Sequence, residues 1–209
     1  LTAGILGKNR YSAVVIQGPA GHGKTTLMQQ ILQELKANNV SVNWLTLDES
    51  DNDMSRISAC LTTLIHSALG GADSEDVEAP PGRSKSTGTA ENILHSLART
   101  DQPIAFFLDE FQVLYDPAIV SLLNSLLERI PPNVTFYIGT RSIPELARGR
   151  LMISGRVKWI TPEELCFTPD EVYEFLQNVG LPASHSEAEA FQERTGGWPA
   201  VLQLLQLAL

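Results

Sequence analysis

The sequence predicts an α/β domain, a parallel sheet wound on both faces by helices, followed by a helical segment. Three observations carry this. Short, nearly continuous apolar runs rich in β-branched and aromatic residues alternate with longer stretches of helical period. That is the pattern of parallel strands buried on both faces. A glycine-rich turn joins the first apolar run to the first helical stretch. Beyond about residue 166 the apolar runs stop and only helical stretches follow. Two units are therefore expected: residues 1–165, and residues 166–209 as a truncated small helical domain.

The first strand is expected over 12–17, where Ala13, Val14, Val15 and Ile16 are apolar. A helix follows from Lys24 to about Ala37 and is broken at Asn38-Asn39. The run 42–47 reads as strand two. Asp48 to Asp53 is an acidic turn, and Asp53 is placed to cap a helix over 54–69 whose stripe is Ile57, Leu61, Leu64, Ile65 and Leu69. Residues 70–88 hold Pro80-Pro81 and few large apolar side chains, so a mobile surface loop is expected. A helix over about 89–99 leads to strand three at 104–108. A helix over 118–129 is stopped by Pro131-Pro132, and strand four spans 134–138. A short helix is expected from about Ile143-Pro144, and a fifth strand over 157–160. Helices are then expected over 169–178, over 186–195 and from Pro199 onward. Right-handed crossovers turn such an order into a doubly wound sheet.

At 209 residues and 43% hydrophobic content the chain can bury a sizeable core. Its net charge of −9 argues against nonspecific nucleic-acid binding. Cys60 and Cys166 have no metal-like spacing and are expected as buried, reduced thiols. His22, His66, His95 and His185 are scattered and form no ligand set. No apolar run approaches the roughly 18 residues that span a bilayer, and no signal peptide is present, so a cytoplasmic location is expected. The chain lacks an initiator Met, and its last helix runs uncapped to Leu209. A piece of a larger protein is expected.

Residues 18–25 read Gly18-Pro19-Ala20-Gly21-His22-Gly23-Lys24-Thr25, a complete G-x-x-x-x-G-K-T between a strand and a helix. Glycines let successive backbone N–H groups point inward as an anion nest, and the following helix adds the positive end of its dipole. Lys24 is placed to reach the outer phosphates of a nucleotide, and the Thr25 hydroxyl to ligate Mg²⁺. The strand 104–108 ends in Asp109-Glu110. Asp109 is the candidate for holding Mg²⁺, and Glu110 for orienting or deprotonating the attacking water. The chain contains no Asn/Thr-Lys-x-Asp guanine reader, so ATP or ADP is the expected nucleotide.

A Glu directly after the Asp resembles the additional-strand catalytic-glutamate branch of P-loop NTPases. That resemblance implies the strand order 5-1-4-3-2, with 134–138 as the inserted strand. In that branch a polar residue at the end of the inserted strand senses the terminal phosphate, and Arg141 is the natural candidate; an ordinary surface arginine is the alternative.

Longer segments narrow the resemblance. They are 18–26 through Thr26, the run Trp44-Leu45-Thr46-Leu47-Asp48-Glu49-Ser50-Asp51-Asn52-Asp53, the run Phe107-Leu108-Asp109-Glu110-Phe111, and 194–204 with Gly197-Trp198-Pro199. In this order the chain resembles the ATPase module of large ATP-binding LuxR-type, maltose-regulon-activator-like transcription regulators of the STAND class. The resemblance implies a slow Mg-dependent ATPase that acts as a conformational and oligomerisation switch. The parent would self-associate with ATP bound. It would take up an inducer and DNA through domains outside this chain. The resemblance also implies that residues 18–26 grip the nucleotide and that Pro199 packs near its adenine. Pro199 is equally suited to the first turn of a helix. His22 stands where relatives commonly carry an aromatic residue. Two other readings stay open: a scaffold that holds nucleotide with little hydrolysis, and a small-molecule phosphotransferase.

Overall fold

In the computed structural model the described residues are 11–70, 85–144, 146, 153 and 155–207. Five strands make one sheet: β1 (Ala13–Gln17), β2 (Ser41–Thr46), β3 (Ile104–Asp109), β4 (Val134–Thr140) and β5 (Val157–Ile160). Their order is β2-β3-β4-β1-β5, the expected 5-1-4-3-2 read from the other edge. All pairings are parallel. The chain enters β3 before β4, yet β4 is the strand that pairs with β1. The strand order reverses there, and the carboxyl edge of such a sheet is where α/β folds bind ligands.

The helices are α1 (Lys24–Ala37), α2 (Met54–Ala68), α3 (Lys85–Leu97), α4 (Pro117–Arg129), α5 (Pro162–Leu165), α6 (Pro169–Asn178), α7 (His185–Thr195) and α8 (Pro199–Leu207). Single 3-10 turns lie at Glu49–Asp51 and Phe111–Val113. Caps agree with the residues available. Asp53 accepts from the Arg56 N–H at the start of α2, and Asp116 from Ala118 at the start of α4. Thr168 and Ser184 form capping boxes with Glu171 and Glu187.

One face of the sheet presents Phe106, Leu108, Phe136 and Ile138 to α2, α3 and α4. The other face presents Val14, Ile16, Phe107 and Tyr137 to Leu27, Met28 and Ile31 of α1. Trp44, Phe107 and Tyr137 stack in a row across three strands, with ring centroids 5.3 and 4.7 Å apart. Helices α6 to α8 share a smaller cluster of their own, built on Val172, Leu176, Ala188 and Leu202.

Some expectations need correcting. Residues 85–88 are helical, so α3 starts before 89. Residues 85–89 include no large apolar side chain, which is why no apolar signal marks the first turn. The rest of the expected loop, 71–84, lies outside the described residues. So does most of the short helix expected from 143, since 145 and 147–152 are not described and Ile143 and Pro144 are irregular. β2 is only half-buried, because it is an edge strand. β4 continues through Gly139 and Thr140, which pair with Ile16 and Gln17. Cys60 and Cys166 are free thiols as expected, but half-buried instead of buried. Each sits on the rim of a helical element and not on its apolar stripe.

Candidate functional site

The strand ends put the chemistry at one edge. β1 delivers the loop 18–23, β3 delivers Asp109 and Glu110, and β4 delivers Arg141. The Gly18 N–H donates to the Thr140 carbonyl at 3.1 Å, which ties the loop's entry to the end of β4. Gly21 and Gly23 have φ of 78° and 75°, the left-handed region that suits glycine. Gly23 is the N-cap of α1 and supplies no side chain to it. The first N–H groups of α1 are thus left for an anion.

Lys24 is 6% exposed, and its Nζ donates to the Pro19 carbonyl at 3.0 Å across the base of the loop. Burial pushes its ammonium below the ordinary lysine range. The Glu110 carboxylate opposes that shift, Arg141 adds to it and Asp109 opposes it. The Thr25 hydroxyl donates to Asp109 Oδ2 at 2.8 Å, and Asp109 Oδ1 accepts the Glu110 N–H at 2.9 Å. Asp109 is 4% exposed and lies behind Thr25. Gly139 of β4 makes room for it: a Cβ there would sit 2.6 Å from Asp109 Oδ1 and 2.7 Å from Met28 Sδ. A glycine inside a buried strand signals such a close approach.

Glu110 adopts φ 59°, rare for a residue with a side chain. Its Oε2 accepts from Arg141 at 2.8 Å and from the Gln112 amide at 2.5 Å. The Arg141 backbone N–H in turn donates to Gln112 Oε1 at 3.0 Å. The motif reading names Glu110 and Arg141 but misses Gln112, which carries no spacing signal.

A cavity of about 700 Å³ opens over these groups. Ala20, Gly21, His22, Gly23, Lys24, Thr25 and Thr26 line it, with Glu110, Arg141 and Pro199. Gly18, Pro19 and Asp109 stand behind the lining. Its far wall comes from α5, α6 and α8 through residues such as Leu165, Phe175 and Gln203. Pro199 reaches within 3.8 Å of a Cβ built on Gly23, so it lies against the glycine loop. Two neighbours of Pro199 also touch the loop. The Ala200 N–H donates to the Gly21 carbonyl at 3.1 Å, and the Trp198 ring lies 6.0 Å from that of His22. The sequence gives no sign of that pairing.

The donor set suits magnesium. Among the described residues no three His, Cys, Asp or Glu gather as a metal centre. The Thr25 hydroxyl lines the cavity with the Asp109 carboxylate behind it instead, and magnesium is usually held by one or two carboxylates plus a substrate's phosphates. Among the described residues no helix is long and apolar enough to cross a membrane.

The sequence profile of the AAA ATPase domain matches residues 5–137. The chain is 28% identical over 211 residues to the HTH-type transcriptional regulator MalT of Klebsiella pneumoniae, in each of two strains. That alignment covers 100% of this chain and 23% of MalT, so the chain spans about a quarter of that relative's length. Among solved structures it resembles the Aeropyrum pernix ORC1 protein in complex with DNA, with a TM-score of 0.53 and 18% identity over 100% of this chain and 56% of that one. It likewise resembles the Drosophila ORC bound to DNA, with a TM-score of 0.53 and 19% identity over 85% of this chain and 46% of that one. Those two likenesses concern the fold.

Proposed function

The chain belongs to the AAA ATPase domain family, a nucleotide-binding module related to MalT, and from that premise we propose that it is the nucleotide-operated switch of a bacterial transcription regulator. The observation that supports this is one shared loop. Residues 18–25 form the anion nest, and the same loop is gripped by Pro199 and Ala200 of α8 and by Trp198 just before it. A boundary near residue 166 then separates a nucleotide-binding domain from a helical domain that reads the loop's conformation.

In this reading residues 18–26, Lys24 among them, grip the phosphates of ATP or ADP, and Pro199 faces the nucleotide from the helical side. Thr25 and Asp109 hold Mg²⁺. That ion, when bound, neutralises phosphate charge and orients the terminal phosphate. Arg141 reads the terminal phosphate through its guanidinium fork. Glu110 orients a water molecule and takes its proton, giving a slow ATPase. The loop 18–23, once filled, presents a fixed Gly21 carbonyl to Ala200, so nucleotide affinity is coupled to the pose of α8. A ligand shifts such an equilibrium only by its differential affinity for the two poses. By similarity with the resembled family, self-association in the ATP state, inducer capture and DNA contact belong to the larger protein.

Hydrogen exchange with and without ADP–Mg and ATP–Mg tests the coupling. Nucleotide should protect 18–30 and also segments within 166–207, to different degrees for the two nucleotides. Protection confined to 18–30 would make the helical segment a passenger.

A further inference from the structure

A second cavity, of about 240 Å³, opens at the amino edge of the sheet, the edge opposite the glycine loop. It lies between the end of α1 and the starts of β3 and β4. Strand register explains the space. Ala105 pairs with Thr135, and Phe107 with Tyr137, and alternate residues share a face. Two small side chains thus stand beside two large rings. Leu35 and Val40 wall the cavity from the helix side, and Pro103 and Pro132 flank its mouth. Tyr137 lines the cavity and is 4% exposed. Its ring stacks on Phe107, which stacks on Trp44, so the direction of its hydroxyl is fixed. That hydroxyl has no hydrogen-bond partner among the described residues, and burial alone pushes its pKa up to about 12. It stays a neutral donor at every ordinary pH. Among the described residues no buried polar side-chain atom is sealed in without a partner, so the phenol oxygen is open to the cavity.

The other polar groups are spent or face outward. The Thr135 hydroxyl donates to the Tyr11 carbonyl at 2.9 Å. Asn133 Nδ2 donates to the Thr100 and Gln102 carbonyls at 3.0 and 2.7 Å. Asp101 is exposed at the rim, and among the described residues no Lys or Arg lines the cavity. An anion would find one like charge there and no counter-charge. Water fills such a space poorly. The volume is the liquid share of about eight waters, whereas the walls are mostly carbon and one side-chain donor is unspent. An apolar group gains affinity by displacing water so weakly held. The cavity is larger than the roughly 150 Å³ that takes benzene and smaller than the pockets of about 300 Å³ and above that take drug-sized ligands. It fits one ring with a short substituent.

We propose that this cavity is a second ligand site, separate from the nucleotide site, for an uncharged single-ring compound that places a hydrogen-bond acceptor on the Tyr137 hydroxyl. The ring lies over Ala105 between Leu35 and the two prolines. The aromatic stack holds the donor in place before the ligand arrives, so little ordering is left to oppose binding. Helix α1 runs from Lys24 at the glycine loop to Ala37. An occupant therefore touches, through Leu35, the far end of the helix that carries Lys24.

The probe is benzamide, an uncharged ring with a carbonyl acceptor, titrated into the full chain while backbone amide shifts are followed by NMR. Benzoate, of the same shape but charged, and toluene, which has no acceptor, are the controls. The titration needs no nucleotide, so its outcome is independent of any ATPase activity. Saturable shifts are expected at Ala105, Thr135 and Tyr137, with a Kd of about a millimolar or below. Benzoate should bind at least about tenfold more weakly, because its charge would be buried without a partner. Tyr137→Phe keeps the stack and removes only the hydroxyl. It should weaken benzamide by about fivefold, the worth of one neutral hydrogen bond, and leave toluene unchanged. Ala105→Leu fills the space and should abolish binding of both. Leu35→Trp closes it from the helix side and carries that arm should Ala105→Leu fold poorly. Equal benzamide affinity in wild type and Tyr137→Phe overturns the site, and so does benzoate binding as tightly as benzamide. Shifts that rise without saturating, or that gather at residues 18–26 instead, mark adventitious contact or the nucleotide cavity and overturn it as well.

Discussion

Thr25 and Asp109 are 84 positions apart and share a 2.8 Å hydrogen bond. That contact joins the glycine loop to the end of β3, and Lys24 is buried beside it. Lys24 is the cation most enclosed by the site, so its loss should be felt in two ways. ATP–Mg at about 100 times its Kd stabilises a binding-competent protein by about 2.7 kcal/mol. Lys24→Met should lose most of that increment in thermal melts, and an undiminished shift would detach Lys24 from phosphate binding. Without nucleotide the sign reverses. Burial lowers the folded-state pKa of Lys24 below 10.5, so the unfolded chain binds its proton more tightly in that window. The destabilisation is fully present below the lowered value and is relieved as pH rises toward 10.5. The stability advantage of Lys24→Met over wild type should therefore narrow with alkaline pH in urea melts. A constant difference would assign it to packing alone.

At the scale of elements, β4 is the strand that builds the site. It lies between β1 and β3, and its Gly139 leaves the gap that Asp109 and Met28 fill. Gly139→Ala would place a methyl 2.6 Å from a carboxylate oxygen that is already held by hydrogen bonds. Overpacking of this kind costs about 1–3 kcal/mol. We expect that loss in urea melts, together with a weaker magnesium dependence of ATP binding as Asp109 is displaced from Thr25. Unchanged stability and unchanged magnesium dependence would show that the strand yields without moving the site. The acidic turn after β2 has a related task. Asp48 and Asp51 form a capping box and Arg56 pairs with both. Asn52 Oδ1 accepts from the Tyr115 and Asp116 N–H groups at 2.9 Å each, fixing the chain that leaves the 3-10 turn of Gln112. The family-like run 44–53 is thus a joint beneath the site.

For the molecule as a whole, the proposed switch turns on the contact between the glycine loop and the start of α8. Trp198 is 40% exposed, a large cost in solvent-facing apolar surface, and its indole lies beside Gly21. A side chain at Gly21 would meet Ala200 Cβ at 2.7 Å, so the close approach needs glycine there. Trp198→Ala keeps the nest and removes the lever. ADP affinity should fall by less than about tenfold, roughly 1.4 kcal/mol, while nucleotide-dependent protection of 166–207 disappears from hydrogen exchange. Retained protection would place the coupling in the Ala200–Gly21 hydrogen bond instead.

Short-range pattern was enough for the sheet and for half the site. The alternation of apolar runs with helical period, and Gly18 to Thr25 between a strand and a helix, are local, and local sterics and burial enforce them wherever the chain folds. Asp109 and Glu110 were legible for the same reason, as a buried strand ending in carboxylates. Gln112 was not, because its two partners are set by the reach of β4 and by the backbone of Glu110 at φ 59°, neither of which leaves a spacing in the sequence. Nor was the half-burial of β2, Cys60 and Cys166, which depends on what lies beside each element. Pro199 was legible as a motif residue, but its seat against Gly23, with Ala200 bonded to Gly21 and Trp198 beside it, needed the chain to bring residues 198–200 back onto 21–23. Long-range pairing of this kind is decided by packing between elements, and periodicity within one element carries no record of it.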